Sequence, residues 1–320
     1  MESFFKDRNV LITGAGGFGG SHLTKLLVNS GANVTAFMKD AKKLVNLEGY
    51  VDKVRIIAGD VRDENVAHEA VKEQDIIYHF ATYFGSGVKN VASASKDPVT
   101  TFDVNVLGVV NVVRKAILEK VSRIVFISTC HVYGEQPASL LPLKETIVPN
   151  PVDIYSTSKY TAELVLRHFN NDIDIIITRA FNQFGEGHIG DYFVPKVITS
   201  VLKGVKPVLW SPNTTRDFSY VGDVIEGYAL VGKEGKNGEI YHFCSGKEIS
   251  MVDMLEVIAN GFGLDSIDAE WRSNRPNDFS RSYGDYSKAR EQLGWEPKVS
   301  IEDGMKRTIE WWRRHPELLE

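Results

Sequence analysis

Apolar and polar positions along residues 1–180 alternate in a rhythm that predicts strands and helices by turns. Asn9–Thr13 is an apolar run that stops at a glycine cluster, Gly14-Ala15-Gly16-Gly17-Phe18-Gly19-Gly20, and residues 21–28 resume with apolar positions at helical spacing. The pattern is strand, tight turn, helix. Further strands are predicted at 33–38, 54–59, 75–80, 123–127 and 174–178. Most run into a polar or small-residue tip: Asp60-Val61, Ala81-Thr82, Ser128-Thr129-Cys130-His131 and Arg179. Strands separated by helices form β-α units, whose right-handed crossovers give a parallel sheet. A helix at 99–118 is so apolar, from Val104 and Val106 to Val113 and Ile117, that both of its sides suit burial. From Phe181 onward the rhythm gives way to loops, Pro and Gly with shorter elements, among them helical runs at 193–202 and 251–259. The chain thus divides into a doubly wound α/β domain, residues 1–180, and a smaller α/β substrate domain, residues 181–320, interleaved with it across a shared cleft.

The glycine cluster brings chemistry to the first domain. Glycines between a strand and a helix let backbone amides approach a pyrophosphate and aim a helix amino terminus at its charge, as in a Rossmann dinucleotide site. Gly14, Gly16 and Gly19 fit G-x-G-x-x-G, while Gly14, Gly17 and Gly20 fit G-x-x-G-x-x-G, so spacing alone leaves both triples open. Gly14, Gly17, Phe18 and Gly20, with Asp60, Val61 and Ala81 at later strand ends, are the candidate cofactor residues. At the tip of the second strand, where a carboxylate would hold the adenine ribose, the chain reads Met38-Lys39-Asp40. Lys39 suits the 2′-phosphate of NADP and tilts the expectation that way, with NAD left open through Asp40.

Tyr155-Ser156-Thr157-Ser158-Lys159 supplies a second constellation. A phenol with a pKa of about 10 is a weak base at neutral pH unless a fixed positive charge favours the phenolate. On a helix, residues four apart share a face, so the Lys159 ammonium can sit beside the phenol and reach a cofactor ribose. A dinucleotide cradle joined to a proton-transfer pair predicts an oxidoreductive enzyme.

Composition narrows the partners. Of 320 residues 43% are hydrophobic and 25% charged, and a net charge of -5 without a basic block points away from nucleic acid and membrane surfaces. No apolar run reaches membrane-spanning length, and residues 1–8 lack a signal peptide's charged and apolar blocks. Cys130 and Cys244 offer neither a disulfide framework nor a metal cluster. The expectation is a cytoplasmic protein without a metal.

Later motifs extend the pattern in order: Gly59-Asp60-Val61, His79-Phe80-Ala81, Asn105-Val106-Leu107-Gly108, Ser128-Thr129, Tyr133-Gly134, Arg179-Ala180-Phe181-Asn182, Arg216-Asp217-Phe218, Arg275-Pro276 and Leu293-Gly294-Trp295. With the glycine cluster and Tyr155 to Lys159, this series resembles the extended short-chain dehydrogenase/reductases that act on nucleotide sugars, the epimerase/dehydratase family, over nearly the whole chain. The GDP-mannose-type 4,6-dehydratases are the nearest in character. The resemblance implies that Tyr155 removes the proton of the sugar 4-hydroxyl while C4 gives hydride to the nicotinamide. It implies that Lys159 lowers the phenol's pKa and holds the ribose, and that Thr129 orients the same oxygen. Asn105 would support the site from its helix. Asn182, Arg216 and Arg275 would bind the diphosphate of a nucleoside-diphosphate sugar, for which guanidinium groups make bidentate contacts. A homodimer through the helix at 99–118 and the helix of Tyr155 is implied as well.

One position departs from the family. Its 4,6-dehydratases follow the threonine with Asp-Glu or Ser-Glu, whereas this chain has Cys130-His131. His131 can act as acid or base near neutral pH, which makes Cys130 and His131 candidate catalytic residues. Without the carboxylate, the enzyme would only oxidise and re-reduce C4, as an epimerase does. The expectation is an NAD(P)-dependent nucleotide-sugar 4,6-dehydratase ahead of a 4-epimerase. A uronate decarboxylase and a non-catalytic dinucleotide sensor are the lesser alternatives.

Overall fold

The computed structural model describes residues 2–41, 44–84, 91–273 and 278–319. Its centre is one parallel sheet of seven strands: β1 (Asn9–Thr13), β2 (Asn33–Met38), β3 (Arg55–Ala58), β4 (Ile76–His79), β5 (Arg123–Thr129), β6 (Asp174–Ala180) and β7 (Ile240–Phe243). Their spatial order is β7-β6-β5-β4-β1-β2-β3. The apolar runs of β1 and β4 are continuous rather than alternating because helices cover both faces of the sheet. Helices α1 (Phe18–Asn29) and α5 (Val221–Glu234) close one face over Leu23, Leu27, Tyr228 and Trp295. Helices α2 (Glu64–Val71), α3 (Gly108–Leu118) and α4 (Ile154–Arg167) close the other over Val112, Phe126, Ala162 and Leu166. A separate core around Phe184, Ile198, Met254, Met305 and Trp312 fills the smaller part. Among the described residues no helix is long and apolar enough to cross a membrane.

Three features differ from what the hydrophobic pattern marks. Strands β5 and β6 run two residues further, because Ser128 pairs with Arg179 and Thr129 with Ala180 although all but the last are polar. The stretch at 99–118 is interrupted: Pro98–Phe102 is α-helical, Asp103–Leu107 forms a π-turn, and α3 resumes at Gly108. Nor are both of its sides covered within one chain, since Val99 is 70% exposed, Leu107 56% and Leu118 63%. Finally, the chain re-enters the large sheet after residue 180. β7 pairs with β6, α5 packs on α1, and Trp295 stacks edge-on against Phe243 at 4.9 Å while its Nε1 donates to the Asp223 carbonyl at 2.8 Å.

Asp217 ties this return together. It is fully buried, and its Oδ1 accepts from the Ser245 N–H and Oγ, both at 2.7 Å. Its Oδ2 accepts from the Gly246 N–H at 2.9 Å and the Gly284 N–H at 3.3 Å. A carboxylate without water persists only where such donors replace it. Asp217→Ala leaves these amides unpaired and is expected to lower the unfolding free energy by roughly 3 kcal/mol in a urea titration. A loss no larger than that of an exposed substitution would contradict this role.

Candidate active site

The glycine loop is shaped by backbone contacts that leave no room for a side chain. Gly14 has φ +71, and a Cβ there would stand 3.0 Å from the Ala81 nitrogen; at Gly20 it would stand 2.4 Å, and at Gly17 3.1 Å, from the Gly14 carbonyl oxygen. These are backbone atoms that cannot move aside, so the triple Gly14, Gly17 and Gly20 is the one this fold requires. Gly17 N-caps α1 without a side-chain cap, which leaves the first-turn amides of a twelve-residue helix for an anion. The cradle fits a dinucleotide pyrophosphate. Phe18, the first residue of α1, stacks on His188 at 4.4 Å and 12°. Val61 is buried against Gly108, and the Ala81 N–H donates to Thr13 Oγ1 at 3.1 Å, bringing both strand ends to the loop.

At the far end of the cradle, Lys39 lies 3.4 Å from Asp60 with 70% of its side chain exposed. Asp60 is also held bidentately by Arg62, at 3.0 and 2.8 Å. The Arg62 hydrogen bonds bring the Asp60 carboxyl down to about 2. Arg62, two residues past a strand tip, escaped the sequence reading, although an acid and a guanidinium at that spacing are a detectable signal.

The candidate proton-transfer pair sits where α4 packs on the carboxyl ends of β5 and β6. Asp153 caps α4 in a reciprocal box with Ser156, which fixes the start of the helix one residue before Ile154 and therefore where Tyr155 points. The Thr129 side chain lies beside the Tyr155 phenol and favours its ionised form, and the phenol ring stacks on Phe84 at 4.6 Å. Burial pushes its pKa up. Lys159 is 2% exposed with Nζ 4.1 Å from the centre of the Phe126 ring; burial lowers it to about 7, opposed by the charge of Glu163. Asn105 holds the frame from the π-turn. Its Oδ1 accepts the Tyr83 N–H at 2.7 Å, and its Nδ2 donates to the Tyr83 carbonyl at 3.1 Å and to Ser158 Oγ at 2.9 Å.

Neighbours in sequence, Cys130 and His131 diverge in environment. Cys130 is buried in an apolar cluster with Val132, Tyr133, Leu143, Phe181 and Cys244, and burial pushes its thiol up to about 12. Buried and apolar-packed with its thiol raised, Cys130 has the setting of a core residue. His131 remains half-buried, its ring 6.4 Å from that of Tyr155 and 5.3 Å from that of Phe279, and its N–H donates to Thr129 Oγ1 at 3.2 Å. Burial is the main cause that lowers its pKa, with Asp153 and Asp278 opposing and Arg216 adding to the fall. These surroundings favour the neutral imidazole.

Of the three candidate diphosphate residues, Arg216 lies beside this group and Arg275 lies outside the described residues. Arg216 is 7% exposed, donates to the Phe279 carbonyl at 2.8 Å and pairs with Asp278. Asn182 opens the short strand Asn182–Phe184 and is pinned through its N–H to the Asp217 carbonyl at 3.1 Å. Phe84, Asp278, Tyr192 and Glu163 also belong to the site and went unread. Only Glu163 carried a sequence signal, standing four residues after Lys159 as Lys159 stands after Tyr155.

Comparison with known proteins shows what the chain is similar to as a whole. The family model described as GDP-mannose 4,6 dehydratase matches residues 11–308. The chain is 31% identical over 316 residues to a putative UDP-glucose 4-epimerase of Methanocaldococcus jannaschii, covering 96% of this chain and 99% of that one. It is 28% identical over 319 residues to a dTDP-glucose 4,6-dehydratase of Streptomyces niveus, covering 95% and 92%. Among solved structures, the dTDP-glucose 4,6-dehydratase DesIV of Streptomyces venezuelae, crystallised with NAD, superposes with a TM-score of 0.89 at 26% identity, covering 98% of this chain and all of that one.

The environment of the thiols has a direct consequence. Both cysteines are buried and unbridged, so neither is expected to react with a thiol reagent at pH 8 in the native protein, and both should react in guanidinium. A fast-reacting native thiol that maps to Cys130 would return it to the chemical set.

Proposed function

This chain belongs to the GDP-mannose 4,6-dehydratase family of extended short-chain dehydrogenase/reductases, and on that premise we propose that it is an NAD(P)-dependent enzyme acting on a nucleoside-diphosphate sugar through a 4-keto intermediate, with 4,6-dehydration ahead of C4 epimerisation. The observation that carries the reading is Thr129 beside the Tyr155 phenol, with Lys159 buried one turn further along the same helix, next to a glycine cradle fit for a pyrophosphate. When bound, the dinucleotide supplies the hydride acceptor for C4. Tyr155 takes the 4-hydroxyl proton, the Lys159 charge favours the phenolate, and Thr129 orients the shared oxygen. Lys39 and Arg62 at the ribose end favour NADP, and Asp40, next after Lys39, is what NAD would use.

Dehydration also needs a base for the C5 proton and an acid for the departing C6 hydroxyl. His131 performs both: neutral imidazole takes the C5 proton as the C5–C6 double bond forms, and imidazolium returns it to the C6 oxygen, which leaves as water; the hydride taken from C4 then returns to C6 and a proton to C5, so that the net change is the loss of one water. The absence of a carboxylate at this position, and the naming of the Methanocaldococcus relative as a 4-epimerase, favour the second reading, inversion at C4. Two buried, unbridged cysteines support a cytoplasmic setting. The exposed apolar residues Val99, Leu107 and Leu118, with Leu164 on α4, support a homodimer through these helices.

Mass spectrometry of the protein with UDP-, GDP-, CDP- and dTDP-sugars and NAD or NADP decides between the reactions. One substrate should lose one water, Tyr155→Phe should slow turnover about 10²–10⁴-fold, and His131→Gln should stop water loss while leaving reduction of the cofactor. Because burial lowers the His131 pKa, the imidazole base persists in mild acid, so the acid limb of elimination should fall below 6.5. An unchanged mass with inverted C4 in the proton NMR spectrum would make the enzyme an epimerase. For the assembly, sedimentation should show a dimer that Leu107→Asp converts to monomer; a monomeric parent protein would remove the dimer.

A further inference from the structure

Proton transfer as described uses Tyr155, Lys159 and Thr129, yet a fully buried carboxylate stands directly behind them. Glu163 follows Lys159 by one turn of α4 and lies on the same inward face as Tyr155 and Lys159. Its Oε1 accepts from Ser128 Oγ at 2.5 Å and from Arg179 Nε at 3.1 Å, and its Oε2 accepts from Arg179 Nη2 at 2.6 Å. Arg179 Nη1 donates to the Tyr133 hydroxyl at 2.7 Å, and that oxygen bonds His242 Nε2 at 2.6 Å. Ser128 is the residue before Thr129. The carboxylate thus joins the catalytic helix to the ends of β5 and β6 at the place where the reacting groups emerge.

A buried ion pair is weak support for stability, because well-packed apolar residues often serve as well or better. A buried ammonium, by contrast, stays charged only near an anion. We propose that Glu163 is a positioning residue whose carboxylate holds Lys159 as the ammonium that the Tyr155 phenolate needs. The proposal rests on the reading of Tyr155 and Lys159 as the proton-transfer pair. The groups facing this spot from the packed elements are Arg179 on β6, His79 on β4, His242 on β7 and Tyr133 after β5. Burial brings both imidazoles down to about 3 and raises the phenol, so none of the three carries charge near pH 7. The Glu163 carboxylate bonds Arg179 and Ser128 directly and reaches Lys159, one turn earlier on the same buried face of α4, through its charge; Arg179 is the cation competing for it.

The test follows the lysine side-chain carbon signals of the full-length protein through a pH titration, with Lys159 assigned by its loss in Lys159→Arg. Glu163→Gln is expected to lower the Lys159 pKa by about one unit, and Arg179→Met to raise it, since Glu163 then has one cation left. Should Glu163→Gln fail to fold around an unpaired guanidinium, Glu163→Gln/Arg179→Met removes both charges and is expected to lower the Lys159 pKa as well. A Lys159 titration unmoved in these variants would overturn the proposal and leave Glu163 as a structural partner of Arg179 alone. In parallel, the plateau of cofactor reduction should fall about tenfold in the Glu163→Gln variant and its alkaline limb should move down, because Lys159 then loses its proton at lower pH, whereas a merely structural loss lowers the rate without moving the limb. The NMR titration needs no substrate, so an inert parent protein on every nucleotide sugar would end the functional reading, while the titration would still decide whether Glu163 sets the charge of Lys159.

Discussion

The buried pair of Glu163 and Arg179 is the contact on which the arrangement of this site depends. It links α4, the end of β6 and, through Ser128, the end of β5, with accessible surfaces of 0% for Glu163 and 1% for Arg179. Two polar strand ends remain inside the protein because this carboxylate and guanidinium satisfy them, and that lets β5 run on to Thr129 instead of stopping at its last apolar residue. Thr129 therefore reaches the Tyr155 phenol as the terminal residue of a strand rather than from a loop. Removing one partner of such a pair costs roughly 3–5 kcal/mol because the other charge is stranded.

A second constraint acts from the opposite side. Asn105 sits in a π-turn, and that extra residue per turn aims its amide between the loop after β4 and the helix carrying Tyr155. Its carboxamide donates to both and accepts from the Tyr83 amide, so the segment that follows the dinucleotide cradle and the proton-transfer helix share one rigid anchor. Gly14 and Ala81 then set the distance between the cradle and this anchor by backbone contact alone. Cofactor and substrate groups are brought into register by main-chain geometry, and the titratable side chains are placed by packing behind them.

Burial also sorts the chemistry. Desolvation pushes the Tyr155 phenol up and the Lys159 ammonium down, so neither is poised for proton transfer by itself. Each needs the other's charge, and Lys159 has Glu163 nearby to keep its own. The same desolvation raises the Cys130 thiol and lowers the His131 imidazole, one residue on, favouring the uncharged form of each.

Much of this was legible in the sequence because it is local. The β-α rhythm comes from periods of two and 3.6 residues, the glycine cradle from a turn that only glycine can make, and the Tyr155 and Lys159 pair from helical spacing. The tertiary structure alone decided what depends on distant burial and pairing. Which glycine triple is required follows from backbone approaches to Gly14 and Ala81, and the opposite fates of Cys130 and His131 from which side of a short turn faces the core. The return of β7 to the large sheet, the capture of Arg216 by Asp278 and of Glu163 by Arg179 join residues far apart in the chain. No local pattern encodes such contacts, since a charged residue reads the same whether solvent or a buried partner will neutralise it.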